Sequence, residues 1–394
     1  MELIPFKEPK KDKYEDEPQY DYKKGGYCPI DENSNINSYT IIEKLGWGSY
    51  STVWKAKKND NIYAIKIQKS NKDDTELAEK EVKTLYKFVN KSHIVQLHDT
   101  FKYKSRNGKH ICIVMDVLGY DLHEFKHQYK YKDNYYMESS KSDSDTDNED
   151  SSPLQCIPVP VVKHIIKQIL IGLNIIHSNN YIHTDIKLEN ILLDRPITSI
   201  KTIDDINVKI ADFGTAIKTS DKSNYEIGTL HYCAPELMLG LSYSTGIDVW
   251  AVGCLIFELI SGECLFDYGR YYDEASDFSS GETISDFDSD DDEDDKVQLE
   301  FLLLSMMSQV LGKIPYKLYK RAKYYSIFFD SRGRFRYYPK YITESNLLQI
   351  LEEDCQFDNI IAKKINDLLL NILVYDQDKR LNCLEIIDIL DKTL

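Results

Sequence analysis

Apolar and polar residues alternate along 39–68 with a period of two, which predicts three strands at 39–46, 51–57 and 62–67. Asn59-Asp60-Asn61 supplies a turn before the third. The period becomes helical over 74–89, where Leu77, Lys80, Glu81, Thr84, Leu85 and Phe88 recur. Two more strands are expected at 94–103 and 110–117, joined by a turn at Asn107-Gly108. Beyond them the pattern is mainly helical. Segment 161–178 is amphipathic and follows Pro160, a favourable helix start. Segment 245–260 is almost wholly apolar and reads as a buried helix. Further helices are expected at 297–311, 346–354, 358–375 and 383–393. This order predicts an α+β fold, with a small β-rich N-terminal lobe and a larger helical C-terminal lobe.

Composition changes this picture in two places. The net charge of -16 is concentrated: 138–152 carries six acidic residues and one Lys, and 273–295 carries twelve and no base. Without these runs, 47 acidic residues face 48 basic ones, so the rest of the chain is nearly neutral. Both runs lie in low-complexity segments, about 130–153 and 268–296, which hold too few apolar residues to bury a core and are expected to be disordered insertions. Residues 1–38 are polar and Tyr-rich and read as an arm. The expected organisation is therefore an arm at 1–38, an N-lobe at 39–118 and a C-lobe at 119–394 with both insertions.

The eight cysteines form no C-x-x-C pair, which argues for a reducing compartment and against a zinc site. The N-terminus lacks a signal-peptide core, and no run is expected to reach membrane-span length, 301–307 being the most apolar. The expectation is a soluble cytoplasmic monomer with no direct nucleic-acid or membrane partner. Lys10-Lys11-Asp12-Lys13 reads as a solvated tail, with a nuclear signal as the alternative.

The candidate chemistry centres on His183-Thr184-Asp185-Ile186-Lys187-Leu188-Glu189-Asn190. Phosphoryl transfer needs a carboxylate to accept the hydroxyl proton, a cation beside the moving phosphoryl group and an amide oxygen on a metal ion. Asp185, Lys187 and Asn190 offer these. Asp212-Phe213-Gly214 follows a short strand at 208–211, and its Asp212 is a second candidate metal ligand. Upstream, Gly46-Trp47-Gly48-Ser49-Tyr50-Ser51-Thr52-Val53 lies between two strands, where glycine lets backbone amides approach phosphate; a plain hairpin turn is the alternative. In Ala64-Ile65-Lys66, Lys66 is expected to neutralise phosphates and to pair with Glu81. Glu236 of Ala234-Pro235-Glu236 and Arg380 are expected to form a buried bidentate pair of structural importance. His183 reads as a packed scaffold residue, because Asp185 already stands where a proton acceptor is needed.

With these motifs in this order, residues 39–394 resemble the eukaryotic protein-kinase superfamily and its bilobal fold. The resemblance implies ATP and Mg2+ as cofactors and protein substrates. It implies that Leu45 to Val53 cover ATP, that Val53, Ala64 and Leu192 sandwich adenine, that Met115 is the gatekeeper and that Asp116 to Leu118 form the hinge. It also implies a stack of Leu85, Leu97, His183 and Phe213 anchored by Asp248. Lys187 matches the serine/threonine pattern. Gly25-Gly26-Tyr27, Trp47 between the two glycines, Gly108-Lys109-His110-Ile111-Cys112, Val117-Leu118-Gly119 and Thr184 next to Asp185 are similar to the SR-protein kinase family, which implies Arg/Ser-rich substrates. Kinases switched on by activation-loop phosphorylation usually carry an Arg at the position of Thr184 to grip the new phosphate, so the resemblance implies activity without loop phosphorylation. A pseudokinase or docking scaffold that binds basic partners through its acidic insertions is the alternative.

Overall fold

A computed structural model describes residues 17–128, 157–196, 200–221, 227–267, 292–320, 322–330, 332, 335 and 346–393. The acidic insertion at 130–153, and 268–291 of the second, lie outside them. The chain divides into two compact units, one drawn from 1–132, 171–183 and 188–218, the other from 133–170, 184–187 and 219–394.

The first unit is built on a six-stranded antiparallel sheet. Its strands are β1 (Asn35–Ile36), β2 (Tyr39–Gly48), β3 (Ser51–Lys58), β4 (Asn61–Gln68), β5 (Leu97–Ser105) and β6 (Gly108–Met115), in the spatial order β1-β2-β3-β4-β6-β5. Ile41, Trp54, Ala56, Ile65, Ile67, Cys112 and Val114 form its core. Alternation puts every second residue on this face, which is why the sequence pattern found these strands. Residues 94–96 do not belong to β5 as expected, because Ile94 instead forms a parallel bridge with Ile210.

Helix α1 (Lys72–Leu85) is N-capped by Asn71, whose side chain accepts from the Asp74 N–H. It ends sooner than the helical pattern suggests and gives way to a 3-10 turn at Tyr86–Phe88. Leu77 lies 38% exposed, while Ala78, Glu81 and Leu85 face inward. The inward face is thus set partly by a carboxylate rather than by apolar spacing alone. Residues 17–36, read from sequence as an arm, join this unit: β1 pairs with β2, and Tyr27, Cys28 and Ile36 are buried. Helix α2 (Leu122–Gln128) follows. The short strands β7 (Tyr181–Ile182), β8 (Ile191–Leu193), β9 (Val208–Ile210) and β10 (Ile217–Lys218) pair as β7-β10 and β8-β9.

Helix α3 (Val159–Ser178) corrects one expectation. Its 20 residues are long and apolar enough to cross a membrane by length and composition. Over half of that stretch is buried, including Val162, Ile165, Ile169, Leu173 and Ile176, so packing consumes its apolar face.

The second unit is mainly helical. It contains α4 (Pro235–Met238) and α5 (Gly246–Ser261), whose residues from Ile247 onward are all buried, and further helices at Asp292–Val310, Asn359–Ile372 and Cys383–Thr393. The helix at 292–310 starts inside the second acidic run, so 292–296 are helical where the sequence predicts a disordered insertion. The helix expected at 346–354 is one turn, Leu347–Gln349, continued by a π-helical stretch at Ile350–Asp354.

Candidate active site

Strands β2 and β3 stay paired through the glycine-rich segment: Gly46 faces Val53, Trp47 faces Thr52 and Gly48 faces Ser51. Ser49 and Tyr50 form the two-residue tip, so the hairpin alternative is true of the backbone. A Cβ at Gly46 or Gly48 would meet nothing within 4 Å, so protein crowding does not dictate glycine there. Open space above a backbone able to approach closely fits a phosphate chain. Leu45, Trp47 and Tyr50 are exposed. Ser51 and Thr52 are buried, and the Thr52 hydroxyl accepts from the Trp54 indole at 3.0 Å, so that side chain serves the scaffold.

Lys66 stands opposite Val53 in the β3–β4 register. Its Nζ donates to Glu81 Oε1 at 2.8 Å, to Glu81 Oε2 at 3.0 Å and to Asp212 Oδ1 at 2.9 Å. Burial alone would lower the Lys66 pKa, but the Asp212 and Glu81 carboxylates outweigh it and keep the ammonium charged. The same ammonium draws Asp212 down to about 2. Asp212 has a left-handed backbone, with φ 57°, and its side chain remains 51% exposed. A Cβ at Gly214 would lie 3.2 Å from Asp212 Oδ1, so glycine keeps this cluster uncrowded. Asn190 is buried, and its carbonyl accepts the Ala211 N–H at 2.9 Å.

Val53, Met115, Leu118 and Leu192 are half-buried and Ala64 is buried, which leaves apolar surface for a flat ring. Ala64 pairs with Met115 across β4 and β6. The Asp116 side chain is committed elsewhere, to Lys209 at 2.5 Å and His98 at 2.7 Å. Burial pushes its pKa up, but the hydrogen bonds from Lys209 and His98 and the charge of the Lys209 ammonium outweigh that and hold it below the usual range. Asp116 therefore has only its backbone to offer a ligand.

His183 packs its ring 5.0 Å from Phe213, edge to face. Its Nε2 lies 3.0 Å from the Ala211 carbonyl, which can only accept, so this nitrogen carries a proton. That is the scaffold role expected from sequence. Phe88 lies 5.5 Å from Phe213 and extends the ring stack. Its helical spacing was visible in the sequence; its aromatic partner was not.

In the second unit, Asp185, Lys187 and Thr229 form a closed triangle. Thr229 donates its hydroxyl to Asp185 Oδ1 at 2.8 Å and accepts from Lys187 Nζ at 3.0 Å. Lys187 also pairs with Asp185 Oδ2 at 3.0 Å. Thr229 was not singled out from sequence; its only signal was the Gly-Thr step shortly before Ala234-Pro235-Glu236. Thr184 has φ 76°, unusual for a β-branched residue, and its N–H donates to buried Asp248 Oδ1 at 2.8 Å. The expected Glu236–Arg380 pair is present and bidentate, at 2.7 and 3.0 Å. Arg380 also donates to the carbonyls of Val374 and Gly246.

These groups are those of a phosphoryl-transfer enzyme, and residues 39–389 match the family described as Protein kinase domain. The chain belongs to the protein kinase family, whose phosphoryl donor is ATP. It is similar to the serine/threonine-protein kinase SRPK of Physarum polycephalum, with 31% identity covering 93% of this chain and 88% of that one. It is also similar to the serine/threonine-protein kinase AFC1 of Arabidopsis thaliana, at 27% identity over 93% and 73%. A third relative is the dual specificity protein kinase lkh1 of Schizosaccharomyces pombe, at 26% over 93% and 48%.

Proposed function

We propose that this chain is a catalytically active serine/threonine protein kinase that transfers the γ-phosphate of ATP to protein hydroxyls. The observation that carries this reading is the bonding of Lys66 to both Glu81 and Asp212. A charged Lys66 held by Glu81 orients the phosphates. Asp185 accepts the substrate hydroxyl's proton, and Lys187 offers positive charge next to it. Asp212 and Asn190 are hard oxygen donors of the kind Mg2+ takes beside phosphate; the ion would offset charge on the phosphates. The test is transfer of labelled phosphate to a basic Ser-containing peptide, with Asp185→Ala as control. Equal incorporation by the two proteins would overturn the reading in favour of a scaffold.

The finer reading is a preference for Arg/Ser-rich substrates, supported by the motif resemblance at Gly25-Gly26-Tyr27 and Trp47 and by similarity to the Physarum protein named SRPK. A peptide array tests it: Arg-Ser repeats should be the best substrates, and a flat profile would count against it. We also infer activity without activation-loop phosphorylation. Asp185 is held by Thr229, and Thr184 by Asp248, through bonds between unmodified groups. Free thiols at Cys28, Cys112 and Cys254 suit the cytoplasm or nucleus as the place of action.

A further inference from the structure

The segment ahead of the matched kinase domain is tied three times to the nucleotide-handling machinery, twice to the glycine-rich hairpin and once to α1. The Tyr27 ring is buried, and its hydroxyl donates 2.8 Å to the carbonyl of Gly48, the second glycine of the β2–β3 hairpin. The Lys69 ammonium lies 4.3 Å from the centre of the Tyr27 ring and 2.8 Å from Asp21 Oδ2. The Lys69 N–H donates 2.8 Å to the carbonyl of Tyr50, at the hairpin tip. Lys69 therefore joins the segment to the hairpin a second time. The third tie is to α1: the N–H of Asn71, the residue that caps this helix, donates 2.8 Å to the Gly25 carbonyl. Helix α1 carries Glu81, the partner of Lys66.

Two anchors hold the segment itself. Asn107 Nδ2 donates to the Tyr27 carbonyl at 2.7 Å, and the Asn107 carbonyl accepts the Gly25 N–H at 2.9 Å. Glu17, buried, is bonded by Lys44 of β2 and by Tyr22. A glycine-bearing hairpin with open space around both glycines has little side-chain packing of its own to fix its height. A buried phenol bonded to its backbone supplies that restraint.

We propose that Tyr27 is a positioning residue for the glycine-rich hairpin, so that residues 17–36 set the nucleotide affinity of this kinase. The proposal rests on the ATP-site reading above. Tyr27 touches no reacting atom. It acts by fixing the Gly48 peptide, and so lowers the ordering cost of closing the hairpin on phosphates.

The full chain carrying Tyr27→Phe keeps the ring and loses the bond. Titration with Mg-ADP should show about a five-fold rise in Kd, the effect of one neutral hydrogen bond. Amide exchange over 45–50 should quicken, and the KM for peptide should stay unchanged. Tyr39→Phe is the matched control, since Tyr39 is equally buried but donates to Asp99 at 2.9 Å. It should leave the Kd for Mg-ADP as in the wild type. An unchanged Kd in Tyr27→Phe, or an equal rise in both variants, overturns the proposal. If Tyr27→Phe does not fold, Lys69→Gln carries the same test and the same expected rise. A wild type that binds Mg-ADP but transfers no phosphate would sink the kinase reading while the Kd comparison still decides this one; a wild type that binds no nucleotide sinks both.

Discussion

The Thr229 hydroxyl bonds both charged side chains of the catalytic loop, donating to Asp185 and accepting from Lys187. It fixes which way the carboxylate lies without adding charge. Thr229→Ala should lower kcat about ten-fold while leaving the KM for ATP nearly unchanged, as expected when one orienting hydrogen bond is lost. Steady-state kinetics with ATP and peptide varied separately would check this. A change confined to the KM for ATP would contradict it.

Lys66→Met should abolish detectable transfer and also destabilise the fold. It strands Glu81, which is 1% exposed and would keep only the Gln68 amide at 3.2 Å. Breaking a buried pair from one side costs about 3–5 kcal/mol. The double variant Lys66→Met/Glu81→Leu should recover much of the lost thermal stability and none of the activity. Calorimetry beside an activity assay separates the two effects.

Arg380→Met should act on stability first. It leaves Glu236 buried without its bidentate partner and frees the Val374 and Gly246 carbonyls. A loss of about 3–5 kcal/mol is expected in denaturant titration. Activity per folded molecule should change little at temperatures where the variant remains native.

His110 makes stability depend on pH. The ring is fully buried between Ser105 and the Gln68 carbonyl, and burial holds its pKa below the ordinary value. The unfolded chain therefore takes up a proton near pH 6.5 while the folded chain does not. The associated stability is present above that pH and is lost as pH falls toward the depressed folded value. His110→Gln should flatten the slope of melting temperature against pH between about 7 and 5. An identical slope in both proteins would exclude His110 as its source.

Treatment of the purified kinase with a phosphatase should leave its activity within about two-fold, because the bonds that hold Thr184 and Asp185 require no phosphate. Loss of activity that returns on rephosphorylation would overturn this.

The sheet was legible because alternation is a local property: a strand with one buried face must read as period two. The Lys66–Glu81 and Glu236–Arg380 pairs were legible because charged residues in otherwise apolar settings need partners, and the motifs supplied them. Asp116 was placed in the hinge by the family resemblance, and what the sequence did not show is that its side chain is taken by Lys209 and His98. Thr229 was passed over, and Phe88 was seen only as a helical position without its Phe213 partner, since neither residue type reveals what it will touch.

The sequence by itself determined the β-then-helix order, the family and the charged groups of the chemistry, because these depend on residue type, period and short spacing. Only the tertiary structure decided which hydrogen bonds hold the segments that carry those groups in place. The Tyr27 hydroxyl on Gly48, the Thr229 hydroxyl on Asp185 and the Asp248 carboxylate on the Thr184 peptide each join segments 21 to 64 residues apart. A hydrogen bond across that distance leaves no periodic trace, because its direction is fixed by the folded backbone and not by the order of the residues.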